Sequence, residues 1–161
     1  MKLMIMGDGN HGKDYVATLF APMTFMSSSW AAAERVVYPV LRDLYNYQSV
    51  EQCHADRRHH RDEWYNLIRE YNSPEPTRLA REIYAEYDIY VGVRNPDEYF
   101  AIRDSRLFDW SIWVDASRRE DPEPQSSMGL CAEDADFVLD NNGTKAELRA
   151  RVTSLREILG C

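Results

Sequence analysis

Leu3-Met4-Ile5-Met6-Gly7-Asp8-Gly9-Asn10-His11-Gly12-Lys13-Asp14 opens the chain, and its reading decides the fold. Four apolar residues run into a glycine-rich turn, and a helical pattern follows. Gly7–Asp14 matches G-x4-G-K, the core of the Walker A phosphate loop. Glycines let the chain curl so that successive backbone N–H groups point inward at phosphate oxygens. The helix that follows adds its positive N-terminal end. The expected nucleotide-binding residues are therefore Gly7, Gly9, Asn10, His11, Gly12, Lys13, Asp14 and Tyr15. Lys13 would reach the terminal phosphates and stabilise charge during transfer. The Ser or Thr that usually follows this lysine and binds magnesium is Asp14 here. A carboxylate there can hold magnesium directly or through water, so Asp14 is the expected metal ligand, with Asp115 as the alternative group arranging the ion. The expected cofactors are ATP and Mg2+.

Further apolar runs at Met23–Met26, Ile89–Val93, Trp110–Val114 and Phe137–Leu139 are short, as suits strands buried on both faces of a parallel sheet. Helical patterns lie between them. Asn95-Pro96-Asp97-Glu98 has a capping residue, a proline at the first helical position and a Glu at the third. Thr144-Lys145-Ala146-Glu147 is a capping box, followed by Leu148, Val152, Leu155 and Leu159 on one stripe. Asp56–Tyr71 reads as one helix and Thr77–Glu86 as a shorter one. Strand–helix alternation predicts an α/β P-loop domain with a five-stranded parallel sheet flanked by helices. The expectation is a single domain over 1–161, with a helical insert at about 30–86 for the acceptor and a short lid at about 116–130.

The chain has 161 residues and a net charge of −8, which argues against a large nonspecific nucleic-acid surface but leaves room for a local basic pocket. No apolar run reaches the roughly 18–20 residues of a membrane span, and the first residues lack a signal-peptide pattern, so a cytoplasmic protein that meets no membrane is expected. Three cysteines without a CxxC suggest neither a disulfide framework nor a zinc ribbon. Cys53-His54 with His59 and His60 fits no common zinc finger.

Gly12-Lys13-Asp14 resembles the GKD loop of phage deoxynucleoside monophosphate kinases, and Val93-Arg94-Asn95-Pro96-Asp97-Glu98 with Ala101-Ile102-Arg103 resembles a second segment of that family. Asp140-Asn141-Asn142-Gly143-Thr144 is similar to a strand-end loop that packs beside adenine in small-molecule kinases, which implies nucleotide contacts for Asn141 and Asn142. Ser27-Ser28-Ser29, Cys53-x-Ala55-Asp56-Arg57, His60-Arg61-x-x-Trp64, Ile68-x-x-Tyr71-Asn72 and Trp113-Val114-Asp115 together look like the phage 5-hydroxymethyldeoxyuridine DNA kinases, a thymidylate-kinase-like subfamily. That resemblance implies phosphorylation of the 5-hydroxymethyl group of 5-hydroxymethyluracil in phage DNA, on the way to hypermodified thymidines, within an infected bacterial host. A kinase of free deoxynucleoside monophosphates is the alternative, and a nucleotide-binding regulator without turnover is a third reading. Gly92 stands where the deoxynucleotide kinases carry an Asp, and Tyr15 where they usually carry Thr.

The remaining candidates cluster after strand ends and in one basic run. Arg57, Arg58, His59, His60 and Arg61 form the densest basic stretch. Guanidinium forks suit a phosphate-bearing acceptor, and an aromatic suits an extracted base. Asp56, Arg57, His60, Arg61 and Trp64 are therefore expected at the acceptor, against the plainer reading of a solvated face with Trp64 in the core. Ser27, Ser28 and Ser29 either hold the acceptor or cap a helix. Glu34 lies one turn further on. Arg94, Arg118 and Arg119 would stabilise the transferring group, the last two from a lid. The general base is left among Asp14, Asp56 and Asp115.

Overall fold

In the computed structural model, which describes residues 1–121 and 128–161, β1 (Leu3–Met6) runs through the middle of the molecule with all four side chains buried. It pairs in parallel with β3 (Ile89–Val91) on one side and β4 (Trp110–Asp115) on the other. β2 (Phe25–Ser27) and β5 (Phe137–Asp140) complete a five-stranded parallel sheet of order β2-β3-β1-β4-β5.

Alternation along β1 feeds two cores. Leu3 and Ile5 join Ile89, Val91, Ile112 and Val114 under α1 (Lys13–Thr18) and α8 (Lys145–Leu159), which contribute Val16, Ala17, Leu148, Val152 and Leu155. Met4 and Met6 join Tyr90 and Trp113 under the helices of the opposite face. An apolar run without polar alternation is what a strand between two helical layers requires.

The opposite face is built mostly from the chain between β2 and β3, which covers the expected insert. α2 (Ser28–Ala32) passes through a wider π turn at Ala33–Val37 into α3 (Tyr38–Tyr45). α4 (Val50–Asp56), α5 (Arg61–Tyr71) and α6 (Arg78–Glu86) follow. α7 (Pro96–Asp104) then joins β3 to β4. The Asn95 side chain accepts from the Glu98 N–H, and Thr144 and Glu147 form a reciprocal box at the start of α8, as their spacing predicts. No helix of the described residues is long and apolar enough to cross a membrane.

Several boundaries differ from the sequence reading: β3 ends at Val91 rather than Val93, and β4 and β5 each run one residue further, to Asp115 and Asp140. The second strand begins at Phe25 rather than Met23, because Thr24 is tied by its N–H and hydroxyl to the Asp88 carboxylate while its carbonyl accepts from Asp88 and Ile89. The stretch expected as one helix over Asp56–Tyr71 is instead broken. A 3-10 turn at Arg57–His59 follows α4, and His60 leaves helical geometry at φ −126°, ψ 34° before α5 begins.

Candidate active site

Gly7 follows β1 at φ +141°, a left-handed region that glycine enters without steric strain. A Cβ there would stand 2.5 Å from the Val114 carbonyl oxygen, so the chain can pass β4 this closely only without a side chain. Gly12, at φ +87°, ends the loop, and α1 starts at Lys13. The Lys13 ammonium folds over the loop and donates to the carbonyls of Gly7 (2.8 Å) and Asp8 (2.5 Å).

The loop is braced from behind. The Asn141 side chain donates to the His11 carbonyl at 2.8 Å, and its own backbone N–H donates to the Asp115 carbonyl. His11 Nδ1 lies 3.1 Å from both the Ala116 backbone nitrogen and the Val114 carbonyl oxygen, which ties the ring to the end of β4. His11 is 1% exposed, and its Nε2 has no partner among the described residues. The side chains of His11 and Asn141, expected at the nucleotide, thus point into the support of the loop. Asn142 is similarly occupied: its amide donates to Asp115 and Asp140, and its carbonyl oxygen accepts from the Arg118 N–H.

A cleft of about 690 Å³ opens in front of the loop. Gly9, Asn10, Gly12, Lys13, Asp14 and Tyr15 line it from the phosphate-loop side; Ser27, Ser28 and Ser29 come from the end of β2 and the start of α2, and Val91, Gly92 and Arg94 from the end of β3. Arg57, Arg58, Arg61 and Trp64 close it from the broken helix. Arg58, part of the basic run but not among the expected acceptor residues, is a further lining cation. Five lining side chains are cationic, and among the described residues one lining side chain, Asp14, is acidic. Opposed in one cleft, these groups make an anion-binding field inside a chain of net charge −8.

The break at His60 sorts the basic run into two faces. Arg57 and Arg61 reach the cleft. The Arg57 guanidinium is disfavoured by burial and by the nearby Arg94 and Arg61 charges, and favoured by Asp14. Asp56 and His60 do not reach it, contrary to the acceptor role expected for them. The Asp56 carboxylate accepts from Tyr47 and pairs with His59 and His60, while His60 also pairs with Glu63 and packs on the Tyr45 ring. These groups tie α3, α4 and α5 together on the outer side. Trp64 is 6% exposed, with its Nε1 unpartnered among the described residues. It is a wall of the cleft packed into the core rather than an open stacking surface.

The serines join a helix start to the cleft wall. Ser27 caps α2 by accepting from the Trp30 N–H, the Ser28 hydroxyl donates to the Gly92 carbonyl at 3.0 Å, and all three serines line the cleft. Exposed Glu34 is not among the lining residues. Neither are Gly7, Asp115, Arg118 and Arg119. Burial works against the Asp115 charge, but hydrogen bonds from Ser117 and Asn142 outweigh it and lower its pKa. Arg118 pairs with Asp140 at 3.2 Å, and Arg119 donates to the Asn141 carbonyl at 2.9 Å, so both lie against the end of β5. Of the lid expected at about 116–130, residues 122–127 lie outside the described residues.

Magnesium fits the donor set. No group of three or more His, Cys, Asp or Glu side chains that could hold a metal occurs among the described residues. Asp14 beside a phosphate-binding loop suits an ion held by one carboxylate, substrate phosphates and water.

No protein-family model matches the chain, and no curated protein sequence matches it. Solved structures do. A shikimate kinase from Bacteroides thetaiotaomicron superposes over 100% of this chain and 99% of its own, with a TM-score of 0.56 and 11% identity. The Thermus thermophilus protein TT1252 superposes over 99% of this chain and 96% of its own, with a TM-score of 0.50 and 16% identity. The five-stranded parallel sheet, the phosphate loop after its central strand and these superpositions give the chain the α/β fold of the P-loop kinases.

Proposed function

We propose that this chain is an ATP-dependent kinase that transfers the γ-phosphate to the 5-hydroxymethyl group of 5-hydroxymethyluracil in DNA. The observation that carries the proposal is the cationic cleft, in which Lys13 and the loop face Arg57, Arg58, Arg61 and Arg94 across one space. Two groups of cations facing one another suit a reaction in which two phosphate-bearing molecules meet. The stretches around Ser27–Ser29, Asp56–Arg57 and His60–Trp64, which resemble the phage 5-hydroxymethyldeoxyuridine DNA kinases, support the choice of acceptor.

In this reading the loop amides and Lys13 hold the β- and γ-phosphates, and Arg94 with the Arg57 and Arg61 forks holds the acceptor phosphate and the transferring group. The acceptor hydroxyl oxygen bonds to the γ-phosphorus as the bond to the β,γ-bridging oxygen breaks. ADP leaves, and the hydroxyl proton is released. Of the three carboxylates considered for that proton, Asp14 lines the cleft, whereas Asp56 and Asp115 do not. Asp14 would also hold magnesium, which would supply positive charge against the negative charge developing on the transferring group. Such transfer depends chiefly on positioning and charge stabilisation, so a separate base is not essential.

A kinase of free deoxynucleoside monophosphates is the second reading, favoured by the net charge of −8, since a polymer binds best along a cationic track. ATP labelled at the γ-phosphate, supplied with a hydroxymethyluracil-containing oligonucleotide and separately with free monophosphates, tests the two. Label entering the oligonucleotide supports the proposal, and label entering monophosphates alone refutes it.

A further inference from the structure

His54 sits in α4, one turn before Arg57, and stands between the serines of α2 and the arginines of the cleft. Arg57 Nη1 donates to His54 Nε2 at 2.5 Å, and the Ser29 hydroxyl lies 3.0 Å from the same nitrogen. Arg57 Nη1 is also 3.3 Å from Ser29 Oγ, so the three side chains close a triangle. Ser29 Oγ is in turn 3.2 Å from Ser27 Oγ. An arginine keeps its protons and has no acceptor. The nitrogen facing it must therefore present a lone pair, which fixes His54 as neutral imidazole with its proton on Nδ1. The ring itself is held in plane: Trp30 stacks on it with centroids 3.9 Å apart and planes 9° from parallel, and Trp64 meets it edge-on at 6.3 Å.

We infer that His54 is a positioning residue, whose Nε2 lone pair aims the Arg57 guanidinium and the Ser29 hydroxyl at the acceptor, with Trp30 fixing the plane of the ring. The inference rests on the reading of this cleft as an acceptor phosphate site. Burial first, then the Arg57 charge, pulls the His54 pKa down to about 4, which agrees with a neutral ring at pH 7. Without this anchor Arg57 would swing as a long solvated side chain, and it stands among like charges from Arg94 and Arg61 that push it away from one geometry. Holding a flexible cation in its productive orientation before the acceptor arrives removes an ordering penalty from binding.

Two substitutions separate the lone pair from the packing. His54→Phe keeps an aromatic ring against Trp30 and removes the acceptor nitrogen. His54→Gln returns an acceptor oxygen at similar reach and removes the aromatic ring. With hydroxymethyluracil oligonucleotide as acceptor, His54→Phe is expected to raise the acceptor KM about ten-fold or more. Its ATP KM and melting temperature stay close to the parent's, and His54→Gln recovers most of the loss. Nitrogen-15 spectra of the parent at pH 7 are expected to show His54 protonated on Nδ1 and bare on Nε2. An unchanged acceptor KM in active His54→Phe overturns the inference. So does a rise in both KM values with a lowered melting temperature, or a proton found on Nε2. Failure of the proposed function is distinct, because the parent protein itself would then transfer no phosphate to the oligonucleotide.

Discussion

At one end of the cleft, Lys13 is held by the carbonyls of its own loop, and that loop is pinned from behind by His11, Asn141 and the contact of Gly7 with Val114. At the other end, Arg57 is held by His54, and the helix carrying Arg61 starts at a break whose outer side is tied by Asp56, His60 and Glu63. The first end is shaped by backbone geometry and by buried side chains behind the loop. The second is shaped by polar side chains that reach across helices. A loop that must present amides to phosphate is specified by glycine placement, which a short sequence motif records. An acceptor pocket that must suit one substrate is specified by side-chain partners that are distant along the chain.

The largest expected effect falls on the first end. Lys13→Ala should lower kcat by about 10²–10³-fold, the usual scale for deleting one charge-stabilising donor at a transferring group, while melting stays near the parent's. Gly7→Ala attacks the brace rather than the chemistry. Its Cβ meets the Val114 carbonyl at 2.5 Å in a left-handed conformation, so stability should fall by about 3 kcal/mol or more, read as a lowered denaturation midpoint. At the second end, Arg61→Ala should raise the acceptor KM by about 10–100-fold, as expected for one lost charge-assisted hydrogen bond, and leave the ATP KM within about two-fold. An equal rise in both constants would erase the distinction between the two ends.

The smallest effect sharpens the sorting of the basic run into two faces. Asp56→Asn should lower the melting temperature at pH 7 and leave both KM values within about two-fold of the parent's. Hydrogen bonding to His59 first, and then to Tyr47, holds the Asp56 pKa below the usual range. A carboxylate with a depressed folded-state pKa stabilises above its unfolded value and loses that contribution as pH falls through the folded value. The melting gap between parent and Asp56→Asn should therefore be open at neutral pH and close below about pH 4, where the unfolded carboxyl protonates. A gap that widens on acidification would contradict the assignment.

Much of the fold is legible in the sequence because its determinants are local. The apolar runs at Leu3–Met6 and Trp110–Val114, the Asn95 and Thr144 caps and the glycines of the loop each act over a few residues. The break at His60 is not legible, since helical periodicity runs through Arg57–Trp64 without glycine or proline. What stops the helix is a set of contacts with Tyr45 and Tyr47, which come from another part of the chain. For the same reason i,i+4 spacing placed His60 with Trp64 at the acceptor, whereas its ring nitrogens face Asp56 and Glu63 on the outer side. The bracing role of His11 and Asn141 was hidden too. A motif lists which residues surround a phosphate, but which side chains turn backwards depends on where β4 and β5 end. His54 carried no signal beyond its place one turn before Arg57, because its partners Ser29 and Trp30 belong to α2.

The central claim is that one cleft holds two phosphate-bearing molecules face to face, one at Lys13 and one at the arginines. Calorimetric binding of a bisubstrate compound, adenosine joined through a polyphosphate to the 5-hydroxymethyl oxygen of 5-hydroxymethyldeoxyuridine 5′-monophosphate, tests it most directly. The account predicts binding at least about 100-fold tighter than ATP alone, because linked groups share one loss of translational freedom. It also predicts that the gain over ATP disappears in Arg57→Ala/Arg61→Ala while ATP itself still binds. A compound that binds no tighter than ATP, or whose affinity ignores the two arginines, would contradict it.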